Sequence, residues 1–157
     1  ITTTAHKGIY EFVAIAKKMP DIQFLGVGHH TESIRLPNIT YIPYTKSVQD
    51  AYQESDIILM PSQYESWGMV ASEAISCGIP VIATSTPGLR ENLSYAGMYL
   101  EQTDTDSWVA MIRKLKTEPE FYADTVVKCL KRADELKLQS QTDFEHLKAF
   151  VDEVTTL

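Results

Sequence analysis

Apolar and polar positions follow one another along this chain with two different periods. Apolar residues at helical spacing predict a first helix over residues 7–18, which ends before Pro20. Short apolar runs then alternate with further segments of helical spacing. The runs predict strands over residues 22–27, 38–43, 57–60, 80–83 and 97–100. The other helices are expected over residues 48–54 (with Ser47 as the cap), 68–77, 107–116, 120–138 and 142–155.

Strands that alternate with helices are typical of a parallel sheet with helical crossovers. We therefore predict an α/β fold: a Rossmann-like, doubly wound parallel sheet with helices on both faces and a helical tail at the carboxyl end. The length of 157 residues suits a single domain over residues 1–157. The chain begins with Ile1 rather than a methionine, which we interpret as the start of a fragment.

Composition and charge narrow the classes of function. The hydrophobic fraction of 44% and the charged fraction of 22% are ordinary for a soluble globular protein. A net charge of -7 argues against nucleic acid as a partner. No apolar run approaches the roughly 18 residues that a membrane helix needs, and the start lacks a secretory signal. The two cysteines have no metal-like spacing; Cys77, at an apolar helix end, is predicted to be a buried thiol.

Two glutamates separated by seven residues lie where a predicted strand gives way to a predicted helix. Glu65 is in the loop, and Glu73 is about one and a half turns into the helix that begins near Gly68. Ligands of open parallel sheets bind beside the carboxyl ends of strands, and a glycine at a helix start opens backbone N–H groups to phosphate. Ionised carboxylates accept hydrogen bonds from hydroxyl groups. The combination favours a nucleotide-sugar, which has a diphosphate and hydroxyl-bearing rings.

The stretch 61–74 resembles the Glu-x7-Glu signature of retaining glycosyltransferases with the GT-B fold, in family 4 (group 1). Further segments are similar to the same family in the same order: His6-Lys7-Gly8, Leu25-Gly26-Val27-Gly28, and residues 55–62, 76–84 and 87–91. The resemblance implies that this chain is the carboxyl-terminal, donor-binding half of such an enzyme. The amino-terminal domain, which holds the acceptor in this family, would then be absent from the chain and would be its natural partner.

The resemblance also implies two catalytic residues. Glu65 would contact the transferred sugar near the reacting carbon, and Lys7 would neutralise charge on the leaving diphosphate. The family usually has an arginine five residues before this lysine, and here that position is Thr2. Three explanations stay open: another cation such as Arg90 replaces it, activation of the diphosphate is weakened, or the start of the chain is out of register with the family pattern.

Donor binding is assigned by the same resemblance to residues near the two glutamates. Glu73 would accept hydrogen bonds from the ribose hydroxyls, and backbone N–H groups at the start of the following helix would bind the diphosphate. The implied donor-binding residues are Glu73, Gly68, Met69, Val70, Gly28 and Glu91. For Glu91, a carboxylate at a helix start, favoured by the helix dipole, is an equally good interpretation.

No cofactor and no metal are expected. Asp104-Thr105-Asp106 looks like the metal-binding Asp-x-Asp of a different glycosyltransferase fold, but it precedes a helix, and capping explains it. His29 and His30 are interpreted as solvated loop residues because no third ligand stands at metal spacing. The expected substrate is a UDP- or GDP-hexose.

These inferences predict a retaining hexosyltransferase that acts in polysaccharide or glycoconjugate synthesis. The isolated chain is expected to be inactive without its amino-terminal domain. Two alternatives stay open: a degenerate, non-catalytic nucleotide-binding module, and a GT-B sugar-nucleotide epimerase. The predicted location is the cytoplasm, which is compatible with peripheral membrane association of the full enzyme.

Overall fold

Five short parallel strands form the centre of the molecule. The computed structural model describes residues 5–28, 36–43 and 49–155. The strands are β1 (Phe24–Val27), β2 (Ile39–Ile42), β3 (Ile58–Met60), β4 (Val81–Thr84) and β5 (Gly97–Leu100). β1 pairs with β2, and β3, β4 and β5 pair in that order, all in parallel. Across the described ranges the two sets of strands form separate sheets, and no ladder joins β1 to β3.

Six α-helices connect and flank these strands within the described residues. They are α1 (Ile9–Lys18), α2 (Gln49–Gln53), α3 (Met69–Ser76), α4 (Pro87–Leu93), α5 (Thr105–Thr117) and α6 (Pro119–Thr155). The alternation of strands and helices agrees with the predicted α/β class. Each predicted strand is present, and its ends differ from the prediction by two residues at most.

Helices cover both faces of the strands, as a doubly wound arrangement requires. On one face, α1 and α5 contribute Phe12 and Trp108 to a core that also contains Leu59 and Ile82. On the other face, α3, α4 and α6 form a second core around Ile75. All four residues of β4 are buried, because this strand lies between two neighbours and under helices on both sides.

Capping by Asp104 is confirmed at the start of α5. Its carboxylate accepts hydrogen bonds from the Ser107 backbone N–H at 3.2 Å and from the Ser107 hydroxyl at 2.6 Å. The bond from the hydroxyl makes the larger contribution and the bond from the backbone the smaller one, and together they hold the pKa of the Asp104 carboxyl below its ordinary value. Asp106 is not a cap; its carboxylate forms an ion pair with Lys18 at 2.7 Å.

Two helix predictions differ from the structure. The short helix α4 was not predicted, although Thr86 accepts a hydrogen bond from the Leu89 backbone N–H and Pro87 occupies the first helical turn. The two helices expected after Pro119 are one continuous helix of 37 residues. The segment around residue 140 lacks glycine and proline, so no residue there interrupts the helical hydrogen bonds.

The second half of α6 projects from the domain with an uncovered apolar stripe. Phe144, Leu147, Phe150 and Val154 are 53–63% exposed. Within the described residues, this stripe therefore does not pack on the rest of the domain. Charged residues interrupt the apolar positions of α6, and none of the helices described is long and apolar enough to cross a membrane.

The two cysteines have opposite environments. Cys77, predicted to be buried, is exposed, because it follows the last turn of α3 and lies outside the packed face. Cys129 of α6 is the buried thiol, and burial raises its pKa to about 11.

Candidate functional site

An ion pair joins the two residues that the sequence assigned to catalysis. The Lys7 ammonium lies 2.5 Å from a Glu65 carboxylate oxygen, and these side chains are 25% and 11% exposed. Lys7 ends a short 3₁₀ turn (Ala5–Lys7) just before α1, whereas Glu65 is in the loop after β3. The fold thus brings two segments that are far apart in sequence to the carboxyl edge of the strands.

The loop after β3 is held from several directions. Its first residues, Pro61 and Ser62, are buried, and the hydroxyl of Thr84 at the end of β4 donates to the Ser62 carbonyl. Gln102 donates to the Pro61 carbonyl at 3.0 Å. The Gln63 backbone N–H donates to the His6 carbonyl at 2.9 Å, which ties the loop to the segment that carries Lys7. These hydrogen bonds therefore hold in place the loop backbone that carries Glu65.

A cavity of about 620 Å³ opens around this ion pair. Its lining comes from three chain segments that meet at the carboxyl ends of β3 and β4 and before α1: His6, Lys7, Gln63, Tyr64, Glu65, Ser66, Ser85, Thr86 and Pro87. The lining includes hydroxyl, carboxylate and ammonium groups, which can bind a polar, anionic or polyhydroxylated ligand.

The start of α3 lies next to Glu65. Gly68 has a φ of +81°, a conformation that glycine adopts without strain, and it lets the chain turn directly from the loop into the helix. A Cβ at Gly68 would lie 2.6 Å from a methyl carbon of Leu89 and 3.2 Å from the Glu65 Cγ atom. Met69 and Val70 follow, 63% and 37% exposed, in the first turn, whose backbone N–H groups have no partners inside a helix. This end of the helix can bind an anion.

A buried amide from α4 fixes this helix start. Asn92 is fully buried, and its side-chain amide donates to the carbonyls of Trp67 and Gly68 at 2.8 and 3.1 Å and to the Ser72 hydroxyl at 2.8 Å. Sequence reasoning missed Asn92. The available signal was an amide between the apolar residues Leu89 and Leu93, since a buried amide needs hydrogen-bond partners.

Glu73 lies about one turn further along α3 and is hydrogen-bonded to α2. The Tyr52 hydroxyl donates to a Glu73 carboxylate oxygen at 2.6 Å. Tyr52 is a second residue that sequence reasoning missed, because only tertiary packing brings α2 to α3. The bond orients the carboxylate, and the carboxylate retains acceptor sites for a ligand hydroxyl.

Of the predicted site residues in the described part of the chain, Lys7 and Glu65 line this cavity, whereas the rest lie outside its lining: Gly28, Gly68, Met69, Val70, Glu73 and Glu91. Gly28 is at the carboxyl end of β1, and its N–H donates to the Ile42 carbonyl at 2.9 Å. Glu91 is exposed and in the second half of α4, so the alternative of a carboxylate in the first turn is wrong. Arg90 stacks on the Tyr99 ring at 4.5 Å and donates to Ser85, which does line the cavity. Thr2 lies outside the described residues.

No group of three or more histidine, cysteine, aspartate or glutamate side chains is arranged to hold a metal ion in the described part of the chain. The predicted loop histidines His29 and His30, together with Ser47, lie outside the described residues. That the donor site needs no metal ion therefore stays a prediction.

Comparison with solved structures supports the architecture. The chain superposes on Anabaena HepE in complex with UDP with a TM-score of 0.82 and 16% identity, over 95% of this chain and 47% of that one. For sucrose-phosphate synthase from Thermosynechococcus elongatus the TM-score is 0.75 and the identity 22%, over 93% and 43% of the two chains. These neighbours are GT-B glycosyltransferases, so the fold is that of one half of a GT-B protein.

Comparison with curated sequences gives relatives of the same kind. A D-inositol 3-phosphate glycosyltransferase of Rhodococcus erythropolis is 29% identical over 109 residues, which cover 67% of this chain and 25% of that protein. A Haemophilus influenzae protein described as an uncharacterized glycosyltransferase is 28% identical over 140 residues, which cover 81% of this chain and 38% of that protein. The chain thus spans about a quarter to two fifths of the length of these relatives.

The sequence model of one family covers most of the chain, from residue 5 to residue 144, and includes the ion pair, the start of α3 and both signature glutamates. This match and the related sequences agree with the resemblance that the Glu-x7-Glu spacing indicated. The chain belongs to the glycosyl transferases group 1 family.

Proposed function

We propose that this chain is the donor-binding domain of a retaining glycosyltransferase that moves a hexose from a nucleotide-sugar to an acceptor hydroxyl. The observation that carries the proposal is the contact between Lys7 and Glu65 in a cavity at the carboxyl edge, beside the open start of α3. Membership of the family supports a transferase over a sugar-nucleotide epimerase. The UDP in the complex of the neighbour HepE supports a uridine nucleotide as the donor's carrier.

In this proposal, Lys7 stabilises the leaving group. A cation beside the diphosphate stabilises the negative charge that grows as the bond from sugar to phosphate breaks. Glu65 holds the ammonium in place by the 2.5 Å contact, and its remaining acceptor sites receive hydroxyls of the transferred sugar. The start of α3 at Met69 and Val70 adds backbone N–H groups and the positive end of the helix dipole.

Glu73 binds the ribose of the nucleotide in this proposal. Its carboxylate accepts from Tyr52 already, and a ribose hydroxyl would add a second donor. The loss of such a charged hydrogen bond costs about 1–3 kcal/mol of binding free energy.

An amino-terminal domain of the same protein completes the enzyme in this proposal. The exposed apolar stripe of α6, from Phe144 to Val154, supplies a surface that such a domain would cover. Chemistry would then occur in the cleft between the two domains, and the chain alone would bind the nucleotide without transferring sugar. Polysaccharide or glycoconjugate synthesis is the proposed setting.

Titration calorimetry of the 157-residue chain with UDP, GDP and ADP tests the donor site. We expect weak binding with a preference for one nucleotide, and a loss of about 1–3 kcal/mol in Glu73→Ala. Glu145→Ala, which removes an exposed carboxylate of α6, is the matched control and should bind as the unchanged chain does. Equal affinity of the chain and Glu73→Ala would reject the ribose role, and no binding of any of the three nucleotides would favour a degenerate module.

A further inference from the structure

A short hydrogen bond joins α2 to α3. The Tyr52 hydroxyl lies 2.6 Å from a Glu73 carboxylate oxygen and 3.5 Å from the Val70 carbonyl oxygen. A tyrosine hydroxyl has one proton to donate, and a distance of 2.6 Å is typical of a bond from a hydroxyl to an ionised carboxylate. Bonds of this kind are stronger than those between neutral groups. The Glu73 carboxylate, at the shorter of the two distances, therefore receives the proton.

The packing of the Tyr52 ring determines where this hydroxyl lies. Tyr52 is half-buried and packs against the second core, which α3, α4 and α6 form. Its neighbour Ala51 is buried, and the Ala51 carbonyl accepts a hydrogen bond from the Ser55 hydroxyl at 2.6 Å. The position of the donor is thus set by the packing of α2 rather than by the carboxylate.

The Glu73 side chain would have much more freedom without this bond. A glutamate side chain has three rotatable bonds, and its terminal torsion is broad, so an untethered carboxylate samples many orientations. A ligand that immobilises such a side chain binds less tightly, because conformational entropy is lost on binding. The bond from Tyr52 orders the carboxylate in advance, so this entropy is lost on folding instead.

The ordered carboxylate lies close to the part of α3 that the proposed function assigns to the diphosphate. Met69 and Val70 precede Glu73 by four and three positions, so the three residues share one face of the helix, about one turn apart. Side chains of a helix lean toward its amino-terminal end, which directs Glu73 back toward this first turn. In a nucleotide the ribose is joined directly to the diphosphate. A diphosphate at the start of α3 would therefore bring the ribose hydroxyls within reach of Glu73.

We infer that Tyr52 is a positioning residue that makes this site selective for nucleotides with an intact ribose. It holds the Glu73 carboxylate so that the remaining acceptor sites are aligned with the ribose hydroxyls. The inference rests on the proposed function, since it requires a nucleotide whose ribose lies at Glu73. It goes beyond that function because it assigns the selectivity to a residue of α2 that acts on the ligand through Glu73.

A second tyrosine–glutamate pair in the same chain provides a matched control. The Tyr95 hydroxyl donates to a Glu135 carboxylate oxygen at 2.8 Å. This pair joins the 3₁₀ turn after α4 (Ser94–Ala96) to α6, and the proposed function assigns no part of the nucleotide to either element. Tyr95→Phe therefore breaks the same type of bond at a place where no effect on nucleotide binding is expected.

Titration calorimetry with two ligands tests the inference. One ligand is the nucleoside diphosphate that the chain prefers, expected to be UDP, and the other is its dideoxy analogue, which lacks both ribose hydroxyls. Tyr52→Phe keeps the ring and removes only the hydroxyl, so the affinity for UDP should fall about three- to tenfold, the loss expected when one side chain is ordered on binding. The affinity for the dideoxy analogue should not change, and Tyr95→Phe should change neither affinity.

The variant Glu73→Ala shows whether Tyr52 acts through this carboxylate. In a chain that already carries Glu73→Ala, the further change Tyr52→Phe should have no effect on the affinity for UDP, because the group that Tyr52 orients is gone. If Tyr52 served only to join α2 to α3, its loss would weaken the binding of both ligands, with or without Glu73.

Other outcomes would overturn the inference. Equal losses of affinity for UDP and the dideoxy analogue in Tyr52→Phe would mean that the hydroxyl supports the fold of the site and not its selectivity. An affinity for UDP that falls in Glu73→Ala but not in Tyr52→Phe would mean that Glu73 binds the ribose unaided, and the proposed function would stand. If Glu73→Ala binds UDP as the unchanged chain does, or if none of UDP, GDP and ADP binds, the proposed ribose role fails and the inference fails with it.

Discussion

The Lys7 ammonium and the Glu65 carboxylate are in contact at 2.5 Å although 58 positions separate them in the sequence. The contact exists because the 3₁₀ turn before α1 and the loop after β3 meet at one edge of the strands, where a backbone hydrogen bond from Gln63 to His6 joins them. If the chain binds a nucleotide-sugar as proposed, this mostly covered ion pair would offer a cation to the diphosphate and an acceptor to the sugar hydroxyls.

Removal of the Lys7 ammonium should affect chemistry more than binding. In the longer enzyme that contains this chain, Lys7→Ala should lower kcat on the order of 10²-fold while the donor Kd changes much less, because negative charge on the leaving group is largest in the transition state. Lys17→Ala, which removes an exposed lysine of α1, is the control and should leave both quantities unchanged. Steady-state kinetics and donor titration measure the two effects. A loss confined to donor affinity would contradict the leaving-group role.

Metal chelation should not affect transfer. The proposed charge stabilisation comes from Lys7 and the start of α3, and Asp104 and Asp106 are engaged as a helix cap and in an ion pair with Lys18. Transfer by the longer enzyme should therefore proceed at the same rate in excess chelator. If chelation stops the reaction and Mn²⁺ restores it, the proposed site chemistry is wrong.

The turn at Gly68 should tolerate no side chain. Gly68→Ala introduces a Cβ at a φ of +81° and 2.6 Å from the Leu89 methyl carbon, so the free energy of unfolding should fall by about 2–4 kcal/mol. Gly78→Ala is the matched control: its φ is +71°, but the nearest atom, on Val126, is 3.3 Å away, so only about 1 kcal/mol should be lost. Urea unfolding measures both. Equal losses would mean that backbone strain alone, without the contact to Leu89, restricts this position.

The two thiols should react at very different rates. At pH 8, iodoacetamide should modify the exposed Cys77 within minutes and leave Cys129 unmodified in the folded chain, because Cys129 is buried and its pKa is raised to about 11. Mass spectrometry of the intact chain and of Cys77→Ser, which should take up no label, checks this. Rapid labelling of Cys77→Ser would show that α6 separates readily from the domain.

The same thiol gives a pH dependence of stability. The folded pKa of about 11 lies above the unfolded value of about 8.5, so the unfolded chain loses this proton first as the pH rises. The contribution of Cys129 to stability is complete below about pH 8.5 and is lost between that value and about pH 11. Urea unfolding at pH 8 and at pH 10 measures this effect. Between these two pH values, the free energy of unfolding should decrease more for the unchanged chain than for Cys129→Ala.

Local patterns in the sequence determined the elements and the motif. Apolar runs and helical spacing give β5 with its observed ends and α1 within two residues, because hydrophobic burial imposes these periods on neighbouring positions. The spacing of Glu65 and Glu73 and the position of Gly68 indicated the family, which the family match confirms, and the edge of the sheet where the site is proposed.

Only the tertiary structure decided which side chains meet. The bond from Tyr52 to Glu73, the network of Asn92 and the exposure of Cys77 depend on how α2, α3 and α4 pack, and contacts between distant segments leave little trace in local periodicity. The course of α6 was mispredicted for a related reason: no residue near position 140 ends the helix, and an apolar stripe does not reveal whether a partner surface covers it. The gap between β1 and β3 is also a property of the assembled sheets, because a strand pattern specifies a buried strand but not its neighbours.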